Sequence, residues 1–316
     1  RFKGSAGPVL SLGVLGTFAT AGTLAAFAHY ALGFGWMLAG LVGAALAPTD
    51  PAVMFSVLRG KEIAGRSGTV LEGEAGVNDP AGIALMLGMV ELATQEDATF
   101  LVVVNEFALE MAVGTGFGLV GAAAFVQLLR RVRLPSEGLY PVLALALAGS
   151  LYGATALAHG SGFLAVFIAG LVVGDVHHPR KQEIETFHST LAALAELVVF
   201  VALGLTVSIG SLAWEVWVDG ALLALVLALV ARPLVVAGAL ASARLTWRER
   251  AFIAWSGLKG AVPILLAAFA VLGEVADAER VYAIVFVVVL LSVLGQGTLV
   301  PLMARALRVP MSMRPI

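Results

Sequence analysis

The sequence contains no cysteine among its 316 residues, which excludes disulfide bonds, thiolate metal sites and thiol nucleophiles. It is also poor in charge, because Asp, Glu, Lys and Arg make up only 13% of the chain, whereas soluble domains carry roughly a quarter. Hydrophobic residues make up 60%, and the mean hydropathy is +0.97. The scarcity of charge excludes an ordinary water-soluble domain and indicates a chain that folds in lipid.

Ten stretches are apolar enough to cross a membrane, since a transmembrane helix needs about 20 mostly apolar residues. They are residues 8–32, 36–58, 67–92, 100–129, 139–158, 163–174, 190–207, 220–243, 251–272 and 281–303. The predicted fold class is therefore an all-α polytopic membrane protein with about ten spans. The chain begins Arg1-Phe2-Lys3 without an initiator methionine or a signal peptide, which indicates a fragment whose first segment has been removed.

The basic residues lie at every second junction between the predicted spans. Sixteen of the 19 Lys and Arg residues fall in the first residues, in the C-terminal segment and at 59–66, 130–137, 177–189 and 244–250. The positive-inside rule predicts that these loops and the C-terminus are cytoplasmic in a multi-pass protein of the cell membrane. Two of the opposite junctions, at 91–97 and 274–279, are acidic instead.

The longest polar stretch, residues 177–189, is predicted to be a cytoplasmic loop between two halves, residues 1–176 and 187–316. Two halves of five or six helices suit a repeat architecture. His177, His178 and His188 lie on this stretch. One interpretation is that they sense cytoplasmic pH, but the favoured interpretation is a solvated loop without a special role.

The first unusual segment is Ala47-Pro48-Thr49-Asp50-Pro51 in the second span. Two prolines cannot sit in an unbroken helix, because each removes a backbone donor and clashes with the preceding turn. Non-helical backbone at membrane depth is tolerated only beside a cavity or inside the protein, and broken helices form ion sites in many transporters. The Thr-Asp pair favours such a site over a kink that is only structural.

The second segment, Glu72-Gly73-Glu74-Ala75-Gly76-Val77-Asn78-Asp79-Pro80, lies in the third span. Asp79 is about 12 residues from the cytoplasmic end, which places it near mid-membrane at about 1.5 Å per residue. Burial disfavours the charged form of a lone carboxylate. Such a group holds either a proton or a cation, and this competition is sufficient for antiport. A purely structural role fits Glu74 better than Asp79.

Two bases lie inside predicted spans, Arg232 before Pro233 and Lys259 in Gly257-Leu258-Lys259-Gly260-Ala261-Val262-Pro263. The latter segment indicates a second broken helix. Lys259 is suited to neutralise the negative C-terminal ends of half-helices, as Asp50 is suited to neutralise the positive ends. Arg232 cannot lose its proton and requires a buried carboxylate, for which Glu74 is the candidate.

At these motifs the sequence resembles the monovalent cation/proton antiporter family, which contains bacterial NhaP and the animal sodium/proton exchangers. The matching segments occur in family order across nearly the whole chain. They are Thr49-Asp50-Pro51, Gly73-Glu74 through Asn78-Asp79, Ala231-Arg232-Pro233, Gly257 through Val262, Ser161 through Gly170, and Gln296-Gly297. The resemblance implies an NhaA/NhaP-like fold of about thirteen helices in two inverted repeats with two crossed broken helices, of which this chain would hold the last ten.

The resemblance also implies roles for individual residues. Asp79 is the carboxylate that binds the monovalent cation or the proton, and Thr49 is a cation ligand through its side chain or carbonyl. Asp50 flanks the crossing with Lys259, and Glu74 pairs with Arg232. Asn78 beside Asp79 resembles the Asn-Asp form, which is associated with electroneutral exchange.

Two residues depart from the family pattern. Ala75 stands where the family usually has serine, so one hydroxyl ligand is missing. Lys259 replaces a more usual arginine, which keeps the charge but loses the bidentate fork. Pro80 and Pro263 resemble the branch that includes potassium/proton antiporters, so the identity of the cation is open.

The predicted function is secondary active exchange of Na⁺, with K⁺ as the alternative, for H⁺, without a cofactor and without enzymatic activity. Li⁺, membrane lipids and a second copy in a homodimer are further expected partners, and nucleic acid is not. A cation channel lined by the same acids is one alternative. An intramembrane aspartyl protease using Asp50 and Asp79 is another, but it gives Arg232 and Lys259 no role.

Overall fold

A computed structural model describes residues 6–50, 61–63, 65–95, 99–176 and 180–313. Pro51, the basic residues Arg1, Lys3, Arg59 and Arg314, and two of the loop histidines, His177 and His178, lie outside the described residues.

The described chain is built almost entirely of helices. The α-helices are α1 (Ala6–Leu10), α2 (Gly16–Leu32), α3 (Trp36–Leu46), α4 (Arg66–Thr94), α5 (Phe100–Arg131), α6 (Leu139–Leu157), α7 (Gly162–Asp175), α8 (Lys181–Thr206), α9 (Trp214–Val226), α10 (Arg232–Ala239), α11 (Trp247–Trp255), α12 (Ala261–Leu272), α13 (Ala278–Leu291) and α14 (Val300–Ala306). Three π-helical segments, Ser11–Leu15, Leu227–Ala231 and Ser292–Gln296, and two 3₁₀ segments, Ile209–Ser211 and Gly297–Leu299, join or extend them. Two three-residue strands, β1 (Lys61–Ile63) and β2 (Met311–Met313), complete the elements.

Among the described residues, six helical stretches are long and apolar enough to cross a membrane by length and composition. They are Gly7–Leu32, Val104–Arg131, Leu139–Leu157, Lys181–Ser211, Trp214–Ala239 and Ala278–Ala306. Three shorter apolar helices, α3, α7 and α12, lie among them, and α3 and α12 each adjoin a non-helical segment. The protein is an integral membrane protein, and the count of ten spans stays a prediction.

The chain forms two compact units. The first comprises Arg1–Phe100 and Val207–Ile316, and within it α2 packs on α3, and α13 packs on α9 and α12. Gly33, at φ 74°, ends α2 in the left-handed conformation that favours glycine, which allows the chain to turn into α3. Both halves of the predicted crossing belong to this unit. The repeat halves 1–176 and 187–316 stay a prediction.

The second unit comprises Leu101–Thr206. Within it α6 packs on α7 and α8. A small apolar core joins α5, α6 and α7 through Ala122, Leu151, Ala165 and Ala169. No residue that the sequence assigns to the ion site lies in this unit.

Three junctions with predicted cytoplasmic positions meet on one side of the first unit. Strands β1 and β2 pair antiparallel, so the loop after the second span contacts the C-terminal segment. The Arg66 guanidinium donates to the carbonyl oxygen of Arg244 at 3.3 Å. The three segments therefore contact one another, and their position relative to the membrane stays a prediction.

The first turn of α11 is held at the same face by Glu249. Its carboxylate accepts hydrogen bonds from the amide and hydroxyl of Thr246 at 2.7 and 2.8 Å, and from the Ser67 hydroxyl on α4 at 3.1 Å. The pattern Thr-x-x-Glu is a capping box. Burial acts to raise the pKa of Glu249, but these hydrogen bonds and the positive charge of Arg66 together lower it below its ordinary value of 4.5.

Arg280 makes two contacts on the side of the first unit that the distribution of basic residues predicts to be external. Its guanidinium lies 3.0 Å from the Asp219 carboxylate and 4.6 Å from the centre of the Phe34 ring. It is the single base that the sequence assigns to the external junctions.

The structure corrects two boundaries. Residues 181–189 are not a loop, because α8 begins at Lys181; the stretch is polar but rich in helix-forming residues, and Lys181 and Glu185 pair one turn apart at 3.7 Å. Helix α3 ends at Leu46, next to the break that Pro48 predicts, and the last residues predicted for the second span, 51–58, lie outside the described residues. Pro263 does not extend the second break, because it lies in the first turn of α12, where no intrahelical donor is needed.

Candidate functional site

The first helix break follows α3. The helix ends at Leu46, and residues 47–50 are not helical. Pro48 has no N–H to continue the helical ladder, which explains the end of the helix locally. Thr49 and Asp50 are nevertheless buried, with 7% and 8% exposure, so the break places polar side chains and free backbone groups inside the protein.

The second break separates α11 from α12. Helix α11 ends at Trp255, residues 257–260 are not helical, and α12 begins at Ala261. The segment includes Gly257 and Gly260, whose lack of side chains lets neighbouring groups approach the backbone. A Cβ atom at Gly257 would collide with the Arg232 side chain, and one at Gly260 would collide with the Asp50 carboxylate.

The two breaks contact each other directly. The Asp50 amide donates to the Leu258 carbonyl at 2.9 Å. The Lys259 ammonium donates to the carbonyl oxygens of Ala47 and Pro48 at 2.9 and 2.6 Å, and Lys259 is 1% exposed. A positive side chain therefore sits at the C-terminal end of α3. The Asp50 carboxylate packs on Gly260 at the N-terminal end of α12. Each charge therefore compensates the opposite partial charge at the helix end beside it.

Arg232 and Glu74 form a buried bidentate ion pair. The two guanidinium-to-carboxylate distances are 2.5 and 2.7 Å, and the residues are 3% and 2% exposed. Arg232 follows the π-helical segment Leu227–Ala231 and also donates to the Ile253 carbonyl of α11 at 3.4 Å. The contact expected between these two residues is present, and it joins α4, α10 and α11.

Thr49 and Asn78 extend this ion pair toward Asp79. The Thr49 hydroxyl donates to Glu74 at 3.3 Å and accepts from the Asn78 amide at 2.7 Å. Asn78 is 1% exposed. Because the hydroxyl proton of Thr49 points to Glu74, its oxygen keeps a lone pair for another partner.

Two adjacent residues of α4 each have an acceptor oxygen that lacks a partner among the described residues. The two oxygens are Oδ1 of Asn78 and Oδ1 of Asp79, and both atoms are buried. Asp79 as a whole is partly exposed, and its electrostatic neighbours include Asp50 and Lys259. A buried acceptor without a donor is costly, so the pair is suited to a proton or a desolvated cation.

The sequence model of the family described as sodium/hydrogen exchanger, transmembrane, matches residues 1–306. The chain belongs to the sodium/hydrogen exchanger family. Among curated relatives it is similar to the K(+)/H(+) antiporter NhaP of Alkalimonas amylolytica, at 34% identity over 98% of this chain and 54% of that protein. It is also similar to the Na(+)/H(+) antiporter NhaH of Halobacillus dabanensis, at 28% identity over 94% and 75%.

The chain spans about half the length of the NhaP and NhaP2 relatives that it matches. Among solved structures it resembles the sodium proton antiporter MjNhaP1 of Methanocaldococcus jannaschii, with a TM-score of 0.79, 24% identity and coverage of 97% of this chain and 80% of that one. The predicted all-α antiporter fold is thereby confirmed.

Other acidic residues and one described histidine lie on other parts of the chain. Glu106 and Glu110, on α5, and Glu196, on α8, belong to the second unit. Glu72 is exposed on α4. His188 bonds to the Ile184 carbonyl of its own helix at 2.8 Å. Within the described ranges, no cluster of three His, Cys, Asp or Glu residues that could hold a metal ion occurs.

Sequence reasoning gave no role to the side chains that support the second break, although Gln296 lies in one of the segments that resemble the family. Ser292 accepts from the Lys259 amide at 3.0 Å, and Gln296 donates to the Trp255 carbonyl at 2.5 Å. The available signal was a polar pair spaced four residues apart in an apolar helix.

Proposed function

We propose that this protein is a secondary active transporter that exchanges a monovalent cation, Na⁺ or K⁺, for protons at Asp79. The observation that carries the proposal is the pair of buried acceptor oxygens on Asn78 and Asp79 without partners among the described residues. They belong to a site built from two broken helices in contact. Broken helices with free backbone groups are suited to bind ions at membrane depth and to alternate access.

Competition for one carboxylate is the proposed coupling mechanism. A proton on Asp79 removes the negative charge that a cation requires, and a bound cation favours the charged form and excludes the proton. Asn78 Oδ1 and a lone pair of Thr49 Oγ1 are the neutral oxygens that would complete the cation site. Hard monovalent cations prefer such oxygen ligands. The carboxylate can then carry one or the other ion across, but not both.

The remaining charges are proposed to support the site without binding the transported ion. Both carboxylate oxygens of Glu74 are engaged by the guanidinium of Arg232, so Glu74 is poorly suited as a cation ligand. The Lys259 ammonium is engaged by the two carbonyls that precede Thr49. The opposed charges of Lys259 and Asp50 stabilise the two helix ends within the bilayer.

The names of the relatives bear on the choice of cation, and the residue type at position 78 bears on the stoichiometry. Relatives carry the names K(+)/H(+) antiporter and Na(+)/H(+) antiporter, which fits either ion. Asn78, where an additional acid would otherwise stand, provides no second titratable group, and this favours exchange of one cation for one proton without net charge. We further propose a homodimer in the cell membrane, with the basic junctions cytoplasmic.

The test is exchange by the full-length protein in proteoliposomes, read as dissipation of a pH gradient on addition of Li⁺, Na⁺ or K⁺. Asp79→Asn should abolish exchange while leaving a folded protein, because the amide keeps the shape but cannot titrate. Glu91→Gln is a matched control on the same helix, about 18 Å from Asp79 at 1.5 Å per residue, and should exchange normally. Cation flux that needs no proton movement would indicate a channel and overturn the proposal.

A further inference from the structure

Several backbone groups at the second break are paired by residues from elsewhere in the fold. The Ile253 carbonyl accepts from Arg232, and the Leu258 carbonyl accepts from the Asp50 amide. Within the break, the Leu258 amide donates to the Ser256 carbonyl at 2.8 Å. The remaining contacts, to the Trp255 carbonyl and the Lys259 amide, come from α13 and its continuation. An interrupted helix requires such partners, because buried unsatisfied backbone groups are costly.

Both of those contacts come from one π-helical turn, Ser292–Gln296. The Ser292 hydroxyl, 5% exposed, accepts from the Lys259 amide at 3.0 Å and lies 3.4 Å from the side-chain oxygen of Gln296. The Gln296 amide donates to the Trp255 carbonyl at 2.5 Å. One side chain therefore holds the end of α11, and the other holds the residue whose ammonium reaches the first break.

A π-helical turn interrupts the regular ladder, and such turns are frequent at functional sites. This turn continues directly from α13, whose residues pack on α3, α9 and α12. It thus connects the rigid packing of α13 with the non-helical residues 257–260. A movement of this turn would shift the Lys259 backbone and, through its ammonium, the Ala47 and Pro48 carbonyls.

We propose that Ser292 and Gln296 are positioning residues for cation binding: they hold the second break so that Lys259 fixes the Ala47–Pro48 carbonyls and thereby the position of Thr49. This inference rests on the proposed exchange at Asp79. Neither side chain contacts the transported ion. Their effect passes through the Lys259 amide and the Trp255 carbonyl to the backbone on which the Thr49 ligand is mounted.

A positioning role predicts a particular kinetic signature. When Thr49 is less well placed, the cation binds less tightly, while the movement of an already loaded carrier is not altered. Ser292→Ala and Gln296→Met should each raise the apparent KM for the cation about tenfold, the scale expected for loss of one buried hydrogen bond. The maximal rate per folded protein should stay within about twofold, since these contacts act in binding.

The experiment measures cation-dependent exchange of the full-length protein in proteoliposomes, normalised to folded protein recovered from size-exclusion chromatography. Ser292→Thr keeps an acceptor hydroxyl and should restore the KM. Thr298→Ala is the matched control, because that hydroxyl is exposed and, among the described residues, donates to the Leu294 and Gly295 carbonyls of its own segment. It should leave both kinetic constants unchanged.

The outcomes separate this inference from the function on which it rests. A wild-type protein that fails to exchange any cation for protons refutes the proposed function. Wild-type exchange with an unchanged KM in Ser292→Ala and Gln296→Met refutes the positioning role, and so does a fall in maximal rate alone. If Ser292→Ala does not fold, the partly buried Gln296→Met decides by the same criterion.

Discussion

Removing the charge of Arg232 should strand a negative carboxylate inside the protein. The pair is buried on both sides, with 3% and 2% exposure, and is joined by two hydrogen bonds of 2.5 and 2.7 Å. Arg232→Met keeps much of the side-chain volume but leaves Glu74 with only the Thr49 hydroxyl as a donor among the hydrogen bonds described above. Breaking one partner of a buried ion pair costs about 3–5 kcal/mol, so we expect Arg232→Met to lose about that much stability.

The second variant that completes this prediction removes the stranded charge. In Arg232→Met/Glu74→Gln the carboxylate is neutral, and the double variant should be more stable than Arg232→Met alone, because replacing a whole buried pair is often nearly neutral. Thermal unfolding in detergent, followed by tryptophan fluorescence, measures both. Two contacting residues should show non-additive changes of about 0.5–3 kcal/mol in such a cycle.

The pair of Arg280 and Asp219, which is more exposed than the pair of Arg232 and Glu74, provides the matched control. Its two side chains are 44% and 14% exposed at an N–O distance of 3.0 Å, and exposed pairs are worth about 0–1 kcal/mol. Arg280→Met should therefore change the unfolding midpoint little. If Arg232→Met is as stable as Arg280→Met and changes only cation affinity, the structural role given to the Arg232–Glu74 pair is wrong.

Three further predictions concern the crossing and the face at α11. Lys259→Met should destabilise the fold by about 1–3 kcal/mol per buried acceptor left without a donor and abolish exchange, measured by unfolding and by proteoliposome assay. Gly260→Ala should cost about 1–3 kcal/mol by overpacking against Asp50, whereas Gly22→Ala, which has open space, should not. Because its pKa is lowered in the fold, the charged Glu249 carboxylate stabilises the folded state at pH values above its ordinary pKa, and this stabilisation is lost as pH falls through the lowered pKa. Glu249→Gln should therefore make the loss of stability on acidification below about pH 4.5, where the ordinary pKa lies, less steep.

Each of these predictions has a distinct contrary result. Exchange by Lys259→Met near the native rate would remove the charge compensation from the mechanism. An unfolding midpoint of Gly260→Ala equal to that of Gly22→Ala would contradict the close approach of the Asp50 carboxylate. If Glu249→Gln and the native protein lose stability in parallel as pH falls, Glu249 is not the group responsible.

The parts of the fold that local chemistry determines could be predicted from the sequence. Pro48 cannot continue a helix, and the chain leaves α3 two residues before it. Arg232 requires a negative partner in the membrane, and Glu74 is one of few acids at a suitable depth; the two do form a pair. Because a charge within the lipid bilayer requires a partner, the ion pair could be predicted from the sequence alone.

The parts that depend on contacts to backbone atoms could not be predicted in this way. Ser292 contacts an amide 33 residues away, and Gln296 contacts a carbonyl 41 residues away. Because both partners are backbone atoms, the residue types at positions 255 and 259 do not predict these contacts. The stretch 181–189 was assigned to a loop from its polarity, whereas helix formation depends on propensity and pairing as well. The acid pattern of α4 did not indicate that Thr49 connects Glu74 to Asn78.

The most direct test of the central claim measures how protons change the apparent KM for the cation in proteoliposomes of the full-length protein. If proton and cation compete for Asp79, lowering the pH should raise this KM, by up to about tenfold per pH unit when protons occupy most sites. The maximal rate should remain nearly unchanged. A KM that does not depend on pH while the maximal rate falls would contradict competition at a single carboxylate.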